Sequence, residues 1–456
     1  MKKKFAFLMS STVAVGALMN LAACNKSYDV KLVIYNWEDY IYEGTDEQGN
    51  YIDDEGGIIE RFEAYYKEKY NKTIEVDYET FSTNEDMYAQ ISLGSISPDL
   101  ICPSDYMIQK MANEGMLEKF SYNDETGEYA DSLKNFSDHG SPFIKNRFKN
   151  EKLNDGKTSF LQYAVPYFWG TMGFTYNPEY TYKNGEKVAN PEDVVSSWEC
   201  LWNNDIGKII SLKDSVRDTY VAAIFHVYKD EIAALDENAS DYNSKLSAIF
   251  NRCDDATIGL VKEALLEAKN KTVFGFEVDE GKNDIVNGDY FANLAWSGDA
   301  IFSMDSAEEG KTPLYLNYSL PEEGSNVWFD GWCMPKGANV ELAEEFVNFI
   351  CKPSNAALCM ESVGYTSPIV GDEMWEYVNE TYAADDDVKE TYTVDLGFYF
   401  GTDKEYKIEI DAEEEGRQFD AQYPTEEVLN RCCIMKDFGE QTTKVEAMWK
   451  EVKGKR

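Results

Sequence analysis

The sequence predicts an α/β protein of more than one domain that is exported from the cytoplasm. Three observations carry that expectation. Short apolar, β-branched runs alternate with amphipathic helical patterns over the first hundred residues after Cys24, as in sheets built from strand–helix–strand units. About 430 residues follow Cys24, too many for one core and suited to two or three domains. The chain also begins with positive charge, an apolar run and small residues ahead of a cysteine, the layout of a secretory signal.

Lys2, Lys3 and Lys4 form the cationic start, and a mostly apolar run extends from Phe5 to about Leu18. That run falls short of the roughly 20 apolar residues a bilayer span needs. Leu21-Ala22-Ala23-Cys24 follows and resembles the bacterial lipobox, which implies a thiol that is diacylated before cleavage. The expectation is a signal peptide over 1–23, lipidation at Cys24 and a tether over 24–29. The chain would then sit on the extracytoplasmic face of the cell membrane, periplasmic or at the cell surface, held by acyl chains alone. An ordinary signal peptide that ends near a cysteine is the alternative.

Lys31 to Trp37 reads as a buried strand, and Ile58, Ile59, Phe62 and Tyr66 recur at helical spacing up to about Tyr70. Thr73 to Phe81 alternates as a strand. Thr83 and Asn84 offer caps for a helix carrying Met87, Tyr88 and Ile91. Asp99 to Cys102 is a further strand, ahead of a helix from about Tyr106 to Met116. Residues 120 to 160 read as loops with short helices. A second region opens near Tyr163 and continues through Gly170 to Tyr176, with helices and strands to about 300. A helix runs from Glu341 to Cys351, Gly397 to Ile410 reads as a β-hairpin, and the last helix spans about Lys436 to Val452.

Acidic residues number 84 against 43 basic ones, a formal charge of −41; loss of the three leader lysines takes it to about −44. Such a surface repels nucleic acid and raises the local concentration of cations. The eight cysteines beyond Cys24 show no compact disulfide framework and no CxxC pair, so free thiols are expected. Two histidines, His139 and His226, do not supply a zinc site, and no metal or cofactor is expected. The Gly-Lys-Thr triplets at 156–158 and 310–312 lack the glycine a phosphate loop needs, with Glu151 and Asp305 in its place. No nucleophile elbow is present, and no catalytic residue is expected. Paired carboxylates leave a secreted glycosidase as an alternative.

What recurs is an aromatic residue beside an acid where a strand should end: Trp37-Glu38-Asp39-Tyr40, Ser104-Asp105-Tyr106 and Trp296-Ser297-Gly298-Asp299. Ligands of open α/β sheets bind beyond the carboxyl ends of strands. Ring faces attract an ammonium group by about 0.5–2 kcal/mol each, and carboxylates fix its position. Aromatic stacking also serves sugars, so a sugar-binding protein is a rival reading.

With Pro166-Tyr167-Phe168-Trp169-Gly170, Trp328-Phe329-Asp330, Gly364 to Pro368 and the final helix, these motifs together resemble the spermidine/putrescine-binding proteins of bacterial ABC importers. The order is that family's, and the likeness covers most of the chain after Cys24. The resemblance implies a two-lobe periplasmic-binding-protein fold (type II), each lobe a mainly parallel sheet flanked by helices. It implies a monomer that captures putrescine or spermidine without a reaction and hands it to an ABC permease. The expected division is 30–165 for the first part of lobe 1, 166–328 for lobe 2 and 329–425 for the rest of lobe 1. The last part includes an acidic insertion over 381–425 with no family counterpart, and 426–456 holds the C-terminal helix. Trp37, Tyr40, Tyr106, Trp296 and Trp328 correspond to aromatic walls, with Tyr365 a further pocket aromatic. Asp330 corresponds to the acceptor of a terminal ammonium, and Ser104 and Asp39 to polar partners near the first aromatic wall. Asp218 corresponds to the acid at the other end, and Asp299 to an acid of putrescine-preferring members. Two departures stand out: Ser215 where spermidine binders carry an aspartate, and Met435 where they carry a glutamine. Both favour putrescine or a shortened binding mode.

Overall fold

A computed structural model describes residues 27–45, 50–52, 54–277, 280–310 and 312–454; the expected leader and Cys24 lie outside them. The first sheet holds β1 (Val30–Trp37), β2 (Ile74–Phe81) and β3 (Leu100–Ile101) in the order β2-β1-β3. All its pairings are parallel, with Val30 opposite Ile74 and Trp37 opposite Phe81. Helix α1 (Ile58–Tyr70) buries Ile58, Phe62 and Tyr66, the face its sequence spacing sets. It ends where Asn71 adopts a left-handed conformation. Helices α2 (Asn84–Ser92) and α3 (Asp105–Asn113) follow the next two strands, so the chain returns each time to the same end of the sheet.

The second sheet has seven strands and is mixed. Ile210–Lys213 pairs in parallel with Val273–Glu277 and Ala292–Trp296. The long strand Val165–Tyr176, buried along all twelve residues, runs antiparallel to Ala292–Trp296, Asn317–Ser319 and Ser325–Trp332. The departure from a parallel sheet has a simple cause. Val165–Tyr176 carries the chain out of one core, and Ser325–Trp332 brings it back alongside in the opposite direction.

Those two strands join two hydrophobic cores. Phe168 and Trp169 pack in the first core, whereas Met172 and Phe174 pack in the second. On the return strand Val327, Phe329 and Trp332 belong to the first core. A third crossing lies at Cys432–Met435, where Cys432 and Ile434 enter the first core and Cys433 and Met435 the second. That alternation is the two-residue period of extended chain. The closing helix spans Thr442–Gly454 and packs Val445, Met448, Trp449 and Val452 into the second core. It starts later than its pattern suggests, because Gly439 stands at φ +56° and residues 439–441 form a single tight turn.

The acidic insertion pairs Thr391–Asp395 with Lys407–Asp411. The expected hairpin therefore exists, but its first strand is 391–395. Gly397–Phe400 is instead a helical turn, entered where Asp395 Oδ1 accepts from the Gly397 amide at 2.8 Å, with Tyr399 and Phe400 buried in the first core. Past the hairpin, Arg417 and Gln418 reach the second lobe. Arg417 pairs with Glu308 and donates to the Leu316 carbonyl, and Gln418 donates to Asp305 and Glu308. All eight cysteines beyond Cys24 are free thiols, seven of them buried. Among the described residues no helix is long and apolar enough to cross a membrane, and no three His, Cys, Asp or Glu residues are grouped to hold a metal ion.

Candidate functional site

The strand ends and crossing strands bring most of the expected residues together at the junction of the two lobes. Asp330, on the return strand, is 6% exposed. Tyr40, on the turn after β1, donates to its Oδ2 at 2.7 Å. Asp330 Oδ1 is buried with no hydrogen-bond partner, an uncommon state for a buried carboxylate and one that calls for a missing donor. Burial pushes the Asp330 carboxyl up to about 6, drawn back by the nearby Ser104 hydroxyl, which falls short of hydrogen-bond geometry, and by the Tyr40 bond.

Ser104 stands just ahead of α3, its side chain free of any capping bond, and forms a backbone bridge with Asp330. Its position is fixed by Asn84, which donates to Ser104 Oγ and to the Tyr106 hydroxyl at 3.1 Å each and accepts from the Ser104 amide. Tyr106 donates to Glu85 at 3.0 Å, and Arg217 of the second lobe stands 4.4 Å from its ring centroid. That ring is therefore already an inter-lobe cation–π contact. Asp105 beside it is 1% exposed with Oδ2 unpartnered, and burial drives its carboxyl well above the ordinary range.

Tyr365 links the two ends of the site. Its ring meets those of Tyr40 and Trp328 edge-on at 5.9 and 5.2 Å, and its hydroxyl donates to Asp299 Oδ1 at 3.1 Å. Two glycines permit this packing. A Cβ on Gly298 would stand 2.2 Å from the Tyr365 ring, and one on Gly170 would stand 2.8 Å from the Trp328 ring. Asp299, in the first turn of the helix Ser297–Glu309, accepts at Oδ2 from Lys213 at 2.7 Å. Burial works to raise the Asp299 carboxyl, but Lys213 and Lys282 leave it below its ordinary value. The Lys213 ammonium lies 3.9 Å from the Trp296 ring centroid. Trp296 in turn donates to Asp218 Oδ1 at 3.4 Å. Asp218 is 6% exposed, and burial raises its carboxyl despite Ser215 and Lys213.

Trp37 packs against Phe81 with ring centroids 4.5 Å apart at the end of β1, its indole nitrogen buried and unpartnered. Asp39 is held apart from the Asp330 group: it is exposed, on a left-handed turn with φ +51°. Lys213 and Arg217 join the site without having been singled out in the sequence, whereas Asn84 was read there only as a helix cap and Asp105 only as the acid of its motif. Ser215 caps the helix Val216–Val227 by accepting from the Asp218 amide. Met435 presents its carbonyl to Gln109 at 3.1 Å.

Two lobes joined by crossing strands, with a polar and aromatic site between them, define a solute-binding protein. The chain belongs to the bacterial extracellular solute-binding protein family, whose sequence model matches residues 58–374. Among individual proteins it is 26% identical over 359 residues to the spermidine/putrescine-binding periplasmic protein of Salmonella typhimurium, covering 78% of this chain and 83% of that one. It is 24% identical over 379 residues to a putrescine-binding periplasmic protein of Escherichia coli K12, covering 80% and 87%. A crystal structure of a spermidine/putrescine ABC transporter substrate-binding protein from Streptococcus pneumoniae superimposes with a TM-score of 0.58, covering 93% of this chain and 98% of that one at 24% identity. That likeness establishes the shared fold.

Proposed function

We propose that this protein captures a polyamine, putrescine or spermidine, between its lobes and delivers it unchanged to an ABC permease. One observation carries the reading: Asp330 keeps a buried carboxylate oxygen without a partner amid aromatic rings. An ammonium group satisfies such an acceptor with a charge-assisted hydrogen bond, while ring faces and edges receive the methylene chain. Trp37, Tyr40, Trp296, Trp328 and Tyr365 are the aromatic surfaces in this reading, with Ser104 and Tyr106 around Asp330. Asp218 and Asp299 lie at the far end, and Asp39 stands at the rim. The names of the relatives support the polyamine class.

Tyr40, Asp218, Asp299 and Asp330 are all buried, so cargo enters by opening of the lobes about the crossing strands and is enclosed when they close. The division into lobes over 30–165 with 329–425 and over 166–328, the monomeric state and the lipid anchor on Cys24 are parts of the same proposal. An anchor would keep the receptor beside its permease. Thermal unfolding with a ligand panel tests the reading. A polyamine at 100 times its dissociation constant adds about 2.7 kcal/mol of stability. An unmoved midpoint with putrescine, spermidine and spermine, together with a rise on adding an oligosaccharide, would replace it with the sugar-binding alternative.

A further inference from the structure

We propose that Lys213 determines specificity: it stands at the Trp296–Asp299 end of the site as a tethered ammonium and restricts the cargo to a diamine. The inference rests on the polyamine reading and names the member of that class.

Lys213 ends the strand Ile210–Lys213, all four residues of which are buried. Its carbonyl is held by the Thr219 hydroxyl at 2.7 Å. The side chain is 1% exposed and does what a bound alkylammonium would do. It donates to a carboxylate at 2.7 Å and places its charge 3.9 Å from a tryptophan ring centroid. Asp299 has both oxygens engaged, Oδ2 by Lys213 and Oδ1 by Tyr365, whereas Asp330 Oδ1 is open. The two acids therefore have different roles, although the sequence places each just after a tryptophan. Lys213 satisfies Asp299 from within the protein, so the far end offers Asp218 to cargo and the near end offers Asp330. Those two acids match the two ammonium groups of a diamine. A third ammonium at the Trp296–Asp299 end would meet the Lys213 ammonium in place of a free carboxylate, which is costly.

Calorimetric titration of the protein and of Lys213→Met, Asp299→Asn and the double variant with putrescine and spermidine tests this. The protein should bind putrescine at least about tenfold more tightly than spermidine. Lys213→Met should move that ratio toward spermidine by about tenfold or more. Asp299→Asn leaves Lys213 facing the cargo without its carboxylate and should weaken putrescine. Adding Lys213→Met to Asp299→Asn should then recover at least about tenfold. A ratio within about twofold of the unsubstituted protein's in Lys213→Met, or a double variant that binds no better than Asp299→Asn, overturns the proposal. Should Lys213→Met alone fail to fold, the comparison of Asp299→Asn with the double variant, which removes the ion pair as a unit, decides. Binding of neither amine by the unsubstituted protein would sink the polyamine reading itself. Binding with an unmoved ratio would overturn only the role given to Lys213.

Discussion

Replacing Asp330 with asparagine should make the empty protein more stable and the loaded protein less so. The side chain keeps its volume and an oxygen that Tyr40 can meet, but it loses the charge. In the empty protein that charge is a liability. Burial lifts the carboxyl from 3.8 to about 6, a displacement worth about 3 kcal/mol at roughly 1.4 kcal/mol per pH unit. The folded state keeps its proton up to about pH 6, and the unfolded state loses its own near 3.8. The cost is therefore fully present above pH 6, shrinks as pH falls between the two values and is absent below 3.8. With cargo bound, the same charge meets an ammonium, and loss of one partner of a buried charged pair costs about 2–5 kcal/mol. At pH 7.5 the empty variant should melt higher than the unsubstituted protein, by up to about 3 kcal/mol of stability. Its putrescine affinity should fall by about 30-fold or more. At pH 4 the two empty proteins should differ little. The assay is thermal unfolding at both pH values with and without putrescine, backed by titration calorimetry. Unchanged affinity, or an empty variant that melts lower at pH 7.5, would refute the reasoning.

Other outcomes follow from the same geometry. Putrescine affinity should fall about tenfold per pH unit below about 6 as Asp330 protonates, measured by titration at pH 7.5, 5.5 and 4.5; a flat profile would place the cargo elsewhere. Tyr40→Phe removes the 2.7 Å bond to Asp330. It should raise the pH at which binding is lost and weaken putrescine by about 1.5–3 kcal/mol, read from the same titrations. Arg417→Ala removes its ion pairs with Glu308 and Glu414. It should lower stability by about 2–3 kcal/mol in urea unfolding, less than for a fully buried pair because both acids are partly exposed. Cys24→Ser should abolish incorporation of labelled fatty acid and release the protein from the membrane fraction, whereas retention on the membrane would remove the lipid anchor from the account.

Much of the candidate site was legible because its members come as contiguous motifs at strand ends. Trp37 to Tyr40, Ser104 to Tyr106 and Trp296 to Asp299 each place an aromatic ring and an acid in one turn, where a parallel strand delivers them to the sheet edge. Residues acting through tertiary contact were harder to see. Asn84 follows Thr83 at a helix start and reads as a cap, but Thr83 does the capping and Asn84 turns its amide to Ser104 and Tyr106. Lys213 follows Ile209 to Leu212 and, as a lysine, is expected at the surface; it is buried because a residue 86 positions away, Asp299, pairs with it. Asp39 shows the limit of the motif argument, since its left-handed turn points it to solvent beside a buried Tyr40. The mixed second sheet was hidden as well, because a buried crossing strand and a buried parallel strand have the same apolar run.

A crystal structure with putrescine tests the central claim most directly. The account predicts one ammonium within about 3 Å of Asp330 Oδ1, its methylenes against the Trp328 and Tyr365 rings and its second ammonium toward Asp218, with Lys213 still on Asp299. Putrescine bound away from the lobe junction, or bound there with Asp330 Oδ1 left without a donor, would contradict it.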